Sequence, residues 1–323
     1  MLMAAGIGQR LRPFTDHRTK ALLPVLGIPI IQFLVDSLVS TGVKKMVVNV
    51  HHRAEETKAG LAALEHPSST LIVSDESALL LGSAGGLKKA TPFLGSGSFF
   101  YSVADTILDI DWSALSEAHQ KFRKEKNALI TLAVSVSKNS GTYREILFDP
   151  HTRLITGLGG MEKNRPYFTG AAVLERECLD QIPKDIPSDF VSSLLIPAIE
   201  KKRAFVFVAD STSYDIGNPA LWLSTHLDLI QMLERTSSVS PQMTRWLDRL
   251  WKHNVRLAPG IWASQRAKSL CTKVDWKKNW KPPCYWDCLT DSDTPPDALG
   301  PNSVLYGSAI SGFTSGIGYN GIR

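Results

Sequence analysis

The stretch MAAGIGQRLRPFTDHRTKALLPV, residues 3–25, follows a short apolar run at residues 2–5 that we predict to be the first strand. Two glycines, Gly6 and Gly8, come directly after this run. Glycine lets the backbone bend sharply and approach a ligand closely, and successive exposed N–H groups in such a turn bind anions. We therefore predict that this turn binds phosphate.

Two common phosphate-binding motifs do not fit this turn. A dinucleotide-binding fold needs a third glycine where Leu11 stands, and the GxxxxGK[S/T] pattern of a P-loop does not occur in the sequence. Positive charge takes their place, because Arg10 and Arg12 follow the glycines and Lys20 comes eight residues after Arg12. A guanidinium and an ammonium group suit a triphosphate, since two opposite charges about 4 Å apart gain about 4 kcal/mol at an effective dielectric constant of about 20.

Short apolar runs alternate with longer amphipathic segments as far as about residue 136, a pattern typical of βαβ units on a parallel sheet. Strands are predicted at residues 2–5, 46–50, 70–74, 99–103 and 128–136. Helices are predicted at residues 30–41, 55–64, 83–91 and 112–124. The expected fold class is α/β, with a Rossmann-like, doubly wound mixed sheet.

The pattern is less regular after Gly141. The later elements are predicted as strands at 145–156, 167–174 and 204–208, and as helices near 189–201 and at 219–233. A linker is predicted at residues 236–242, where serines precede a proline. We expect one domain over residues 1–237 and a smaller module over residues 238–323.

The composition is that of an ordinary globular protein, with 43% hydrophobic and 21% charged residues, and excludes disordered and collagen-like chains. No apolar run reaches the roughly 18 residues of a membrane span, and a secretory signal pattern is missing, so we expect a cytoplasmic protein without membrane association. The net charge of +5 comes from residues 238–323, with 11 Lys and Arg against 6 Asp and Glu. So small an excess, without a basic run, does not indicate nucleic-acid binding.

The module at residues 238–323 holds six of the eight tryptophans. A compact aromatic core is the main interpretation, and a carbohydrate-stacking surface is the alternative. Near its end, Val304, Ile310 and Ile322 follow a six-residue period with Gly316 at the remaining position, which predicts the start of a β-solenoid such as a left-handed β-helix. The module is also our candidate surface for homo-oligomer formation.

Three of the four cysteines, Cys271, Cys284 and Cys288, lie in this module. We expect reduced, buried thiols. A zinc site is the less favoured alternative, because a fourth ligand is not evident in the sequence.

Residues 6–30, GIGQRLRPFT…K-ALLPVLGIPI, resemble the signature of the sugar-1-phosphate nucleotidyltransferases, the NDP-sugar pyrophosphorylases. Further matches follow in that family's order, and the resemblance covers residues 1 to about 233. They are LLGSAGGLKKA at 80–90, FFYSVAD at 99–105, FTGAAVL at 168–174 and YDIGNP at 214–219. The resemblance implies an enzyme that joins a nucleoside triphosphate to a sugar 1-phosphate and releases pyrophosphate, with Mg²⁺ as cofactor.

The resemblance also implies roles for individual residues. Arg10 and Lys20 would bind the phosphates, and Asp105 and Asp215 would hold Mg²⁺; these four form the predicted catalytic set. The predicted nucleotide-binding residues are Ala4, Ala5, Gly6, Gly8, Gly82, Gly85 and Gly86. For the last three, a glycine-rich helix entry without a ligand is the alternative.

Within a sugar-binding portion at about residues 140–213, Gly170 would face the sugar and Glu162 would accept a sugar hydroxyl. An exposed loop glutamate is the alternative for Glu162. Thr19 and Ala104 depart from the family's pattern, which has a proline and a glycine at these positions.

The resemblance leaves the nucleotide and the sugar open. The pair Ala4-Ala5 is similar to the N-acetylmuramate-1-phosphate uridylyltransferases, while the run VVNVHHRAEET at residues 47–57 and the solenoid-like end are similar to the mannose-1-phosphate guanylyltransferases. The non-catalytic alternative is a regulatory subunit of the same fold that senses a nucleotide sugar. The presence of all four charged residues favours the enzyme.

Overall fold

The structure of the 323-residue chain is a computed structural model. It describes residues 1–66, 68–136, 143–209, 213–234, 240–268, 280–287 and 303–306, and the backbone of residues 316–319. Several sequence-based predictions lie outside these residues: those for Cys271, Trp276, Cys288, Ile310 and Ile322, and the first part of the linker, residues 236–239.

The strands of the described residues are β1 (Leu2–Met3), β2 (Pro24–Val25), β3 (Ile28–Pro29), β4 (Lys45–Val50), β5 (Thr70–Asp75), β6 (Ser98–Val103), β7 (Thr106–Leu108), β8 (Ile130–Ser135), β9 (Ile146–Phe148), β10 (Ile155–Leu158), β11 (Tyr167–Glu175), β12 (Ala204–Val208), β13 (Ser213–Asp215), β14 (Asn254–Ala258), β15 (Ile261–Ser264), β16 (Cys284–Asp287), β17 (Ser303–Tyr306) and β18 (Gly316–Tyr319). The α-helices are α1 (Ile30–Ser40), α2 (Ala54–Ala62), α3 (Gly82–Ala90), α4 (Trp112–Lys126), α5 (Ile196–Glu200), α6 (Pro219–Glu234) and α7 (Pro241–His253).

The chain folds as two compact units, each made of two segments. Met1–Ile7 and Leu34–Ser213 form what we call the sheet unit, and Gly8–Phe33 and Tyr214–Arg323 form the loop unit. The predicted domain boundary at residues 237 and 238 falls outside the described residues and stays a prediction.

The sheet unit is built on a seven-stranded sheet in the order β12-β8-β11-β6-β1-β4-β5. Strand β1 is parallel to β4 and to β6, β4 is parallel to β5, and β8 is parallel to β12. Strand β11 runs antiparallel to both β6 and β8. The predicted doubly wound mixed α/β sheet is therefore confirmed. Its core includes Leu132, Leu174 and Val206 of the sheet and Leu87 of α3, all buried, and each such side chain contributes about 2 kcal/mol by leaving water.

The loop unit combines the beginning of the chain with its end. Residues 8–33 contain the short 3₁₀ turns Gln9–Leu11, Phe14–Asp16 and Lys20–Leu22 and the two-stranded hairpin β2–β3. The second segment supplies α6, α7 and a five-stranded sheet in the order β14-β15-β16-β17-β18. Only the β14–β15 pair is antiparallel among these described strands, since β15 to β18 pair in parallel.

The parallel stack β15–β18 is the kind of pairing that a β-solenoid requires. In it Val304 pairs with Ile317, thirteen residues on in sequence. The segments that join these strands lie outside the described residues, so the left-handed β-helix stays a prediction, as does oligomer formation. The tail tryptophans at 246, 262, 280 and 286 are buried, in agreement with a compact aromatic core, whereas Trp251 is about half exposed.

Cys284 is buried in the same module, and burial raises the pKa of its thiol to about 12, so it stays protonated at neutral pH. Within the described part of the chain, no helix has the length and hydropathy of a membrane span.

Candidate active site

The carboxyl ends of β1, β4 and β6 lie at the same edge of the sheet, because β1 is parallel to both neighbours. Met3 pairs with Asn49 on one side and with Val103 on the other. The N–H of Ala104 then donates to the carbonyl of Met3 over 3.1 Å. Ala4, which follows β1, and Asp105, two residues after β6, therefore lie at the same edge of the sheet, the edge at which open α/β sheets bind ligands.

A buried polar network supports this edge. The N–H of Ala4 donates to Asn49 Oδ1 over 2.7 Å, and Asn49 Nδ2 donates to Glu76 Oε1 over 2.8 Å. The N–H of Leu81 donates to the other carboxyl oxygen of Glu76 over 3.2 Å. Burial raises the pKa of Glu76, and these two hydrogen bonds act in the opposite direction. The network thus ties the end of β1 to the start of the glycine segment before α3.

Asn49 and Glu76 support this edge of the sheet, and our sequence analysis did not identify them. Each is a polar residue at or just after the carboxyl end of an apolar strand, β4 and β5 respectively. This signal was present in the sequence.

The glycines of the segment 82–86 pack against protein atoms. A Cβ added at Gly82, whose φ is +70°, would lie 2.7 Å from the carbonyl oxygen of Ser188. A Cβ at Gly85 would lie 2.9 Å from the carbonyl oxygen of Ile186, and one at Gly86 would lie 2.6 Å from the Glu76 carboxyl. Close packing within the sheet unit therefore accounts for all three glycines. Their contact with a nucleotide stays a prediction.

Gly6 differs from these glycines. It is exposed, and among the described residues no atom beyond its chain neighbours lies within 4 Å of a Cβ added there. Ala4 and Ala5, just before it, are buried. Protein packing does not require a glycine at residue 6, so the space beside it is open to a ligand.

The predicted sugar-binding residues lie on and before β11. Gly170 has a φ of +93°, and a Cβ there would overlap the Val103 side chain on β6. The glycine therefore lets β11 approach β6 one strand away from β1. Glu162 lies in an exposed loop and accepts a 3.4 Å hydrogen bond from Arg165. Both sugar-binding roles stay predictions.

In the loop unit, Gly8 makes the turn that the sequence predicts. Its φ is +71°, and its carbonyl accepts a 2.9 Å hydrogen bond from the hydroxyl of Thr15. A Cβ at Gly8 would lie 2.8 Å from Thr15 Cγ2 and 3.4 Å from Lys20 Cβ. The structure thus brings Gly8 and Lys20 together, with Thr15 as a further residue that the sequence analysis did not identify.

Arg10 and Asp215 also come together in the loop unit. A Cβ added at Gly217 would lie 2.9 Å from Asp215 Oδ2 and 3.3 Å from Arg10 Nη2. A carboxylate and a guanidinium that are far apart in sequence thus both lie close to Gly217, where any side chain would crowd them. Gly217 therefore belongs with the candidate site.

Thr19 precedes Lys20 with a φ of −65°, the angle that a proline would impose. It is buried, and within the described residues its hydroxyl has no hydrogen-bond partner. Thr19 therefore has the φ that a proline would have at this position.

The family model of the nucleotidyl transferases matches residues 1–231, and this range contains all four of the predicted catalytic residues. The chain belongs to the nucleotidyl transferase family. The family resemblance of the sequence motifs is thus confirmed.

Relatives of this nucleotidyl transferase carry different substrate names. An N-acetylmuramate α-1-phosphate uridylyltransferase of Caulobacter vibrioides is 40% identical over 109 residues, 33% of this chain and 45% of the relative. A UTP–glucose-1-phosphate uridylyltransferase of Synechocystis is 28% identical over 69% of this chain and 61% of its own. A mannose-1-phosphate guanyltransferase of Aspergillus oryzae is 31% identical over 74% of this chain and 66% of its own. The chain thus spans less than two thirds of the length of each of these relatives.

Solved structures share the fold of this nucleotidyl transferase. HddC from Yersinia pseudotuberculosis has a TM-score of 0.59 at 19% identity, over 70% of this chain and 96% of its own. An inositol-1-phosphate CTP transferase from T. maritima has a TM-score of 0.56 at 19% identity, over 77% of this chain and 94% of its own. At this identity, the likeness shows the fold.

The nucleotidyl transferase has no cluster of three or more His, Cys, Asp or Glu side chains able to hold a metal, as far as the described residues extend. The predicted Mg²⁺ ligands are only two aspartates, and carboxylate oxygens with several waters satisfy Mg²⁺. The chemistry of the predicted donor set therefore suits Mg²⁺.

Proposed function

We propose that this chain transfers a nucleoside monophosphate from a nucleoside triphosphate to a sugar 1-phosphate, releasing pyrophosphate and forming an NDP-sugar. Membership of the nucleotidyl transferase family supports the class of reaction. The observation that carries the proposal is the convergence of Arg10 and Asp215, whose side chains both lie close to Gly217. A guanidinium and a carboxylate near each other support a site that binds phosphate together with a divalent ion.

The reaction needs charge neutralisation more than proton transfer. An oxygen of the sugar phosphate attacks the α-phosphorus, the new P–O bond forms, and the bond to the bridging oxygen breaks as pyrophosphate leaves. A phosphate monoester with a second pKa near 6 is already ionised at neutral pH, so no general base is needed. Two polyanions must instead approach each other, and Arg10 and Lys20 lower this barrier by electrostatic attraction.

Asp105 and Asp215 are the proposed Mg²⁺ ligands. When bound, the ion would add positive charge at the phosphates, as metals do in phosphoryl transfer. Asp105 follows β6 at the ligand-binding edge of the sheet, and Asp215 belongs to β13. Both residues supply the hard oxygen atoms that Mg²⁺ prefers.

The remaining roles concern the two substrates. We propose that the nucleotide contacts the backbone of Ala4, Ala5, Gly6, Gly8, Gly82, Gly85 and Gly86. The sugar would contact Gly170 and Glu162. The open space beside Gly6 is the strongest support for the nucleotide contacts, because protein packing does not explain why residue 6 is a glycine.

The test incubates the full chain and Mg²⁺ with each pairing of UTP, GTP or dTTP with glucose, mannose or N-acetylmuramate 1-phosphate, and measures released pyrophosphate. We expect release with at least one pair, only when both substrates and Mg²⁺ are present. Lys20→Met should lose it. The matched control Lys45→Met should keep it, because Lys45 is exposed at the amino end of β4. No release with any pair, together with a thermal shift on adding NDP-sugars, would instead support the nucleotide-sugar sensor.

A further inference from the structure

The five-stranded sheet of the loop unit presents two faces with different partners. Side chains alternate along a strand, and the cross-strand register places one set on each face. One face forms a core of its own from Ile261, Ala263, Cys284, Trp286 and Leu305. The other face carries Trp262, Tyr285, Asp287, Val304 and Tyr306, all of which are buried.

The second face contacts the hairpin turn that follows Lys20. A Cβ added at Gly27 would lie 3.0 Å from Tyr285 Oη and 3.4 Å from Asp287 Oδ2. The hydroxyl oxygen of Tyr306 lies 3.4 Å from the carbonyl oxygen of Pro24 and 3.5 Å from the N–H nitrogen of Gly27. The sheet therefore holds the turn by close contact from strands more than 250 residues away in sequence.

The hairpin turn needs this support, because its backbone is strained. Both central residues have positive φ, +48° at Leu26 and +80° at Gly27. A turn of this kind favours Asn or Asp before the glycine, and leucine is a rare occupant. Such strain persists only where the surroundings over-determine the conformation. Leu26 is fully buried, and its carbonyl accepts a 3.0 Å hydrogen bond from Asn254 Nδ2.

Tyr306 is itself fixed by His226. The Nδ1 atom of His226 lies 2.8 Å from the carbonyl oxygen of Trp222, which can only accept, so we assign the proton to Nδ1. Nε2 is then an acceptor, and the Tyr306 hydroxyl donates to it over 2.6 Å. This orientation leaves the lone pairs of the Tyr306 oxygen available to the Gly27 N–H. Trp222 completes the contact, because its indole N–H donates to the Pro24 carbonyl over 2.9 Å.

The anchored hairpin is joined directly to Lys20. The N–H of Leu23 donates to the carbonyl of Lys20 over 3.1 Å, and the N–H of Ile30 donates to the carbonyl of Leu23 over 3.0 Å. We propose that this face of the C-terminal sheet positions the phosphate-binding Lys20 segment, with Tyr306 as the central positioning residue. Only the role of Lys20 in this statement rests on the proposed function.

The test compares Tyr306→Phe with Leu305→Val in the full chain. Tyr306→Phe removes one hydroxyl on the hairpin side, while Leu305→Val shortens a side chain on the opposite face of the same strand. We expect Tyr306→Phe to accelerate hydrogen exchange at the Leu23 and Ile30 amides at least tenfold relative to the amides of β4. It should also lower kcat/KM for the triphosphate about tenfold, mainly through KM. Leu305→Val should change neither the exchange rate nor kcat/KM, even if it lowers Tm as much as Tyr306→Phe does.

Equal exchange at Leu23 and Ile30 in both variants would overturn the proposal, because the sheet would then only stabilise the unit. If the wild-type chain releases no pyrophosphate, the proposed function fails, and the exchange measurement still decides the positioning role. Should Tyr306→Phe not fold, Asn254→Ala takes its place, since it removes the hydrogen bond to the Leu26 carbonyl. The same acceleration is then expected, and its absence contradicts the proposal.

Discussion

Asn49 donates a 2.8 Å hydrogen bond from its side-chain amide to the buried carboxyl of Glu76, and its amide oxygen accepts from the N–H of Ala4. The pair links three neighbouring parts of the sheet unit: the end of β1, the end of β4 and the segment after β5. Because all of these atoms are buried, water cannot replace a lost partner. The end of β1 is thus set from within the protein, independently of any ligand.

Asn49→Ala removes both hydrogen bonds and leaves the Ala4 N–H and one Glu76 oxygen buried without a partner. We expect a loss of about 2 to 4 kcal/mol in the free energy of unfolding, measured by urea at pH 7. Gln120→Ala on the exposed face of α4 serves as the control and should change it by less than about 0.5 kcal/mol. A loss below about 1 kcal/mol in Asn49→Ala would contradict the network.

Substitution by alanine should affect ligand binding at Gly6 and stability at Gly8. Gly6→Ala meets open space, so we expect the stability to change by less than about 0.5 kcal/mol and the Kd for the triphosphate to rise about tenfold. Gly8→Ala forces a Cβ against Thr15 at a φ of +71°, so we expect a loss of about 1 to 3 kcal/mol. Thermal unfolding and nucleotide titration measure both, and an unchanged Kd for Gly6→Ala would remove Gly6 from the binding site.

Gly217→Ala places a Cβ among the ends of the Asp215 and Arg10 side chains. These ends can move aside, so we expect the fold to be kept, with Tm changed by a few degrees at most. The displaced charges should lower kcat/KM at least tenfold in the pyrophosphate assay. Gly97→Ala is the matched control, because a Cβ there meets nothing within 4 Å of the described residues. Equal activity in the two variants would exclude Gly217 from the site.

Asp105→Asn removes one negative charge at the edge of the sheet while keeping the shape of the side chain. We expect kcat to fall at least about a hundredfold, because a metal-site charge contributes several kcal/mol to such a reaction. Circular dichroism and Tm should stay close to those of the wild-type chain. Near-normal turnover would refute the metal role of Asp105.

The stability of the loop unit should depend on the protonation of His226. Burial lowers its pKa from 6.5 to about 4, so the folded state binds fewer protons than the unfolded state between these values. The free energy of unfolding is therefore highest above pH 6.5 and decreases as the pH falls towards 4. At pH 5 it is lower by about 2 kcal/mol. The rings of Tyr285 and Tyr306 lie beside His226, and the Tyr306 hydroxyl donates to its Nε2.

Urea unfolding of the wild-type chain and of His226→Gln between pH 7 and pH 5 isolates this contribution. Glutamine can accept from Tyr306 and donate to the Trp222 carbonyl without gaining a proton. The difference between the two proteins should narrow as the pH falls, and a constant difference would rule out the His226 contribution.

Sequence patterns were sufficient wherever local rules decide the structure. Strand β12 occupies the predicted residues 204–208, an apolar run whose first three residues are buried. Helix α4 begins at Trp112, as predicted, since the Asp111 carboxylate caps it by accepting from the Ala114 N–H over 2.9 Å. The sequence predicts a turn at Gly8 because glycine permits a sharp bend, and its positive φ confirms this turn.

Long-range packing was beyond these rules. The sequence predicts nucleotide contacts for the segment 82–86, but it does not show that Gly82 and Gly85 pack against the backbone at Ser188 and Ile186, about 100 residues later. Gly27 has an equally specific reason in Tyr285 and Asp287. Neither pairing leaves a periodic or local signal in the sequence. The proximity of Arg10 to Asp215 and Gly217 likewise depends on tertiary packing between segments that are about 200 residues apart in sequence.

The hairpin contacts of Tyr306 have a consequence for the order of folding. The segment that bears Arg10 and Lys20 is synthesised long before Tyr306 and the strands that support its turn. Contacts over such a separation form only after a long loop closes. The turn therefore gains this support only after residue 306 has been synthesised.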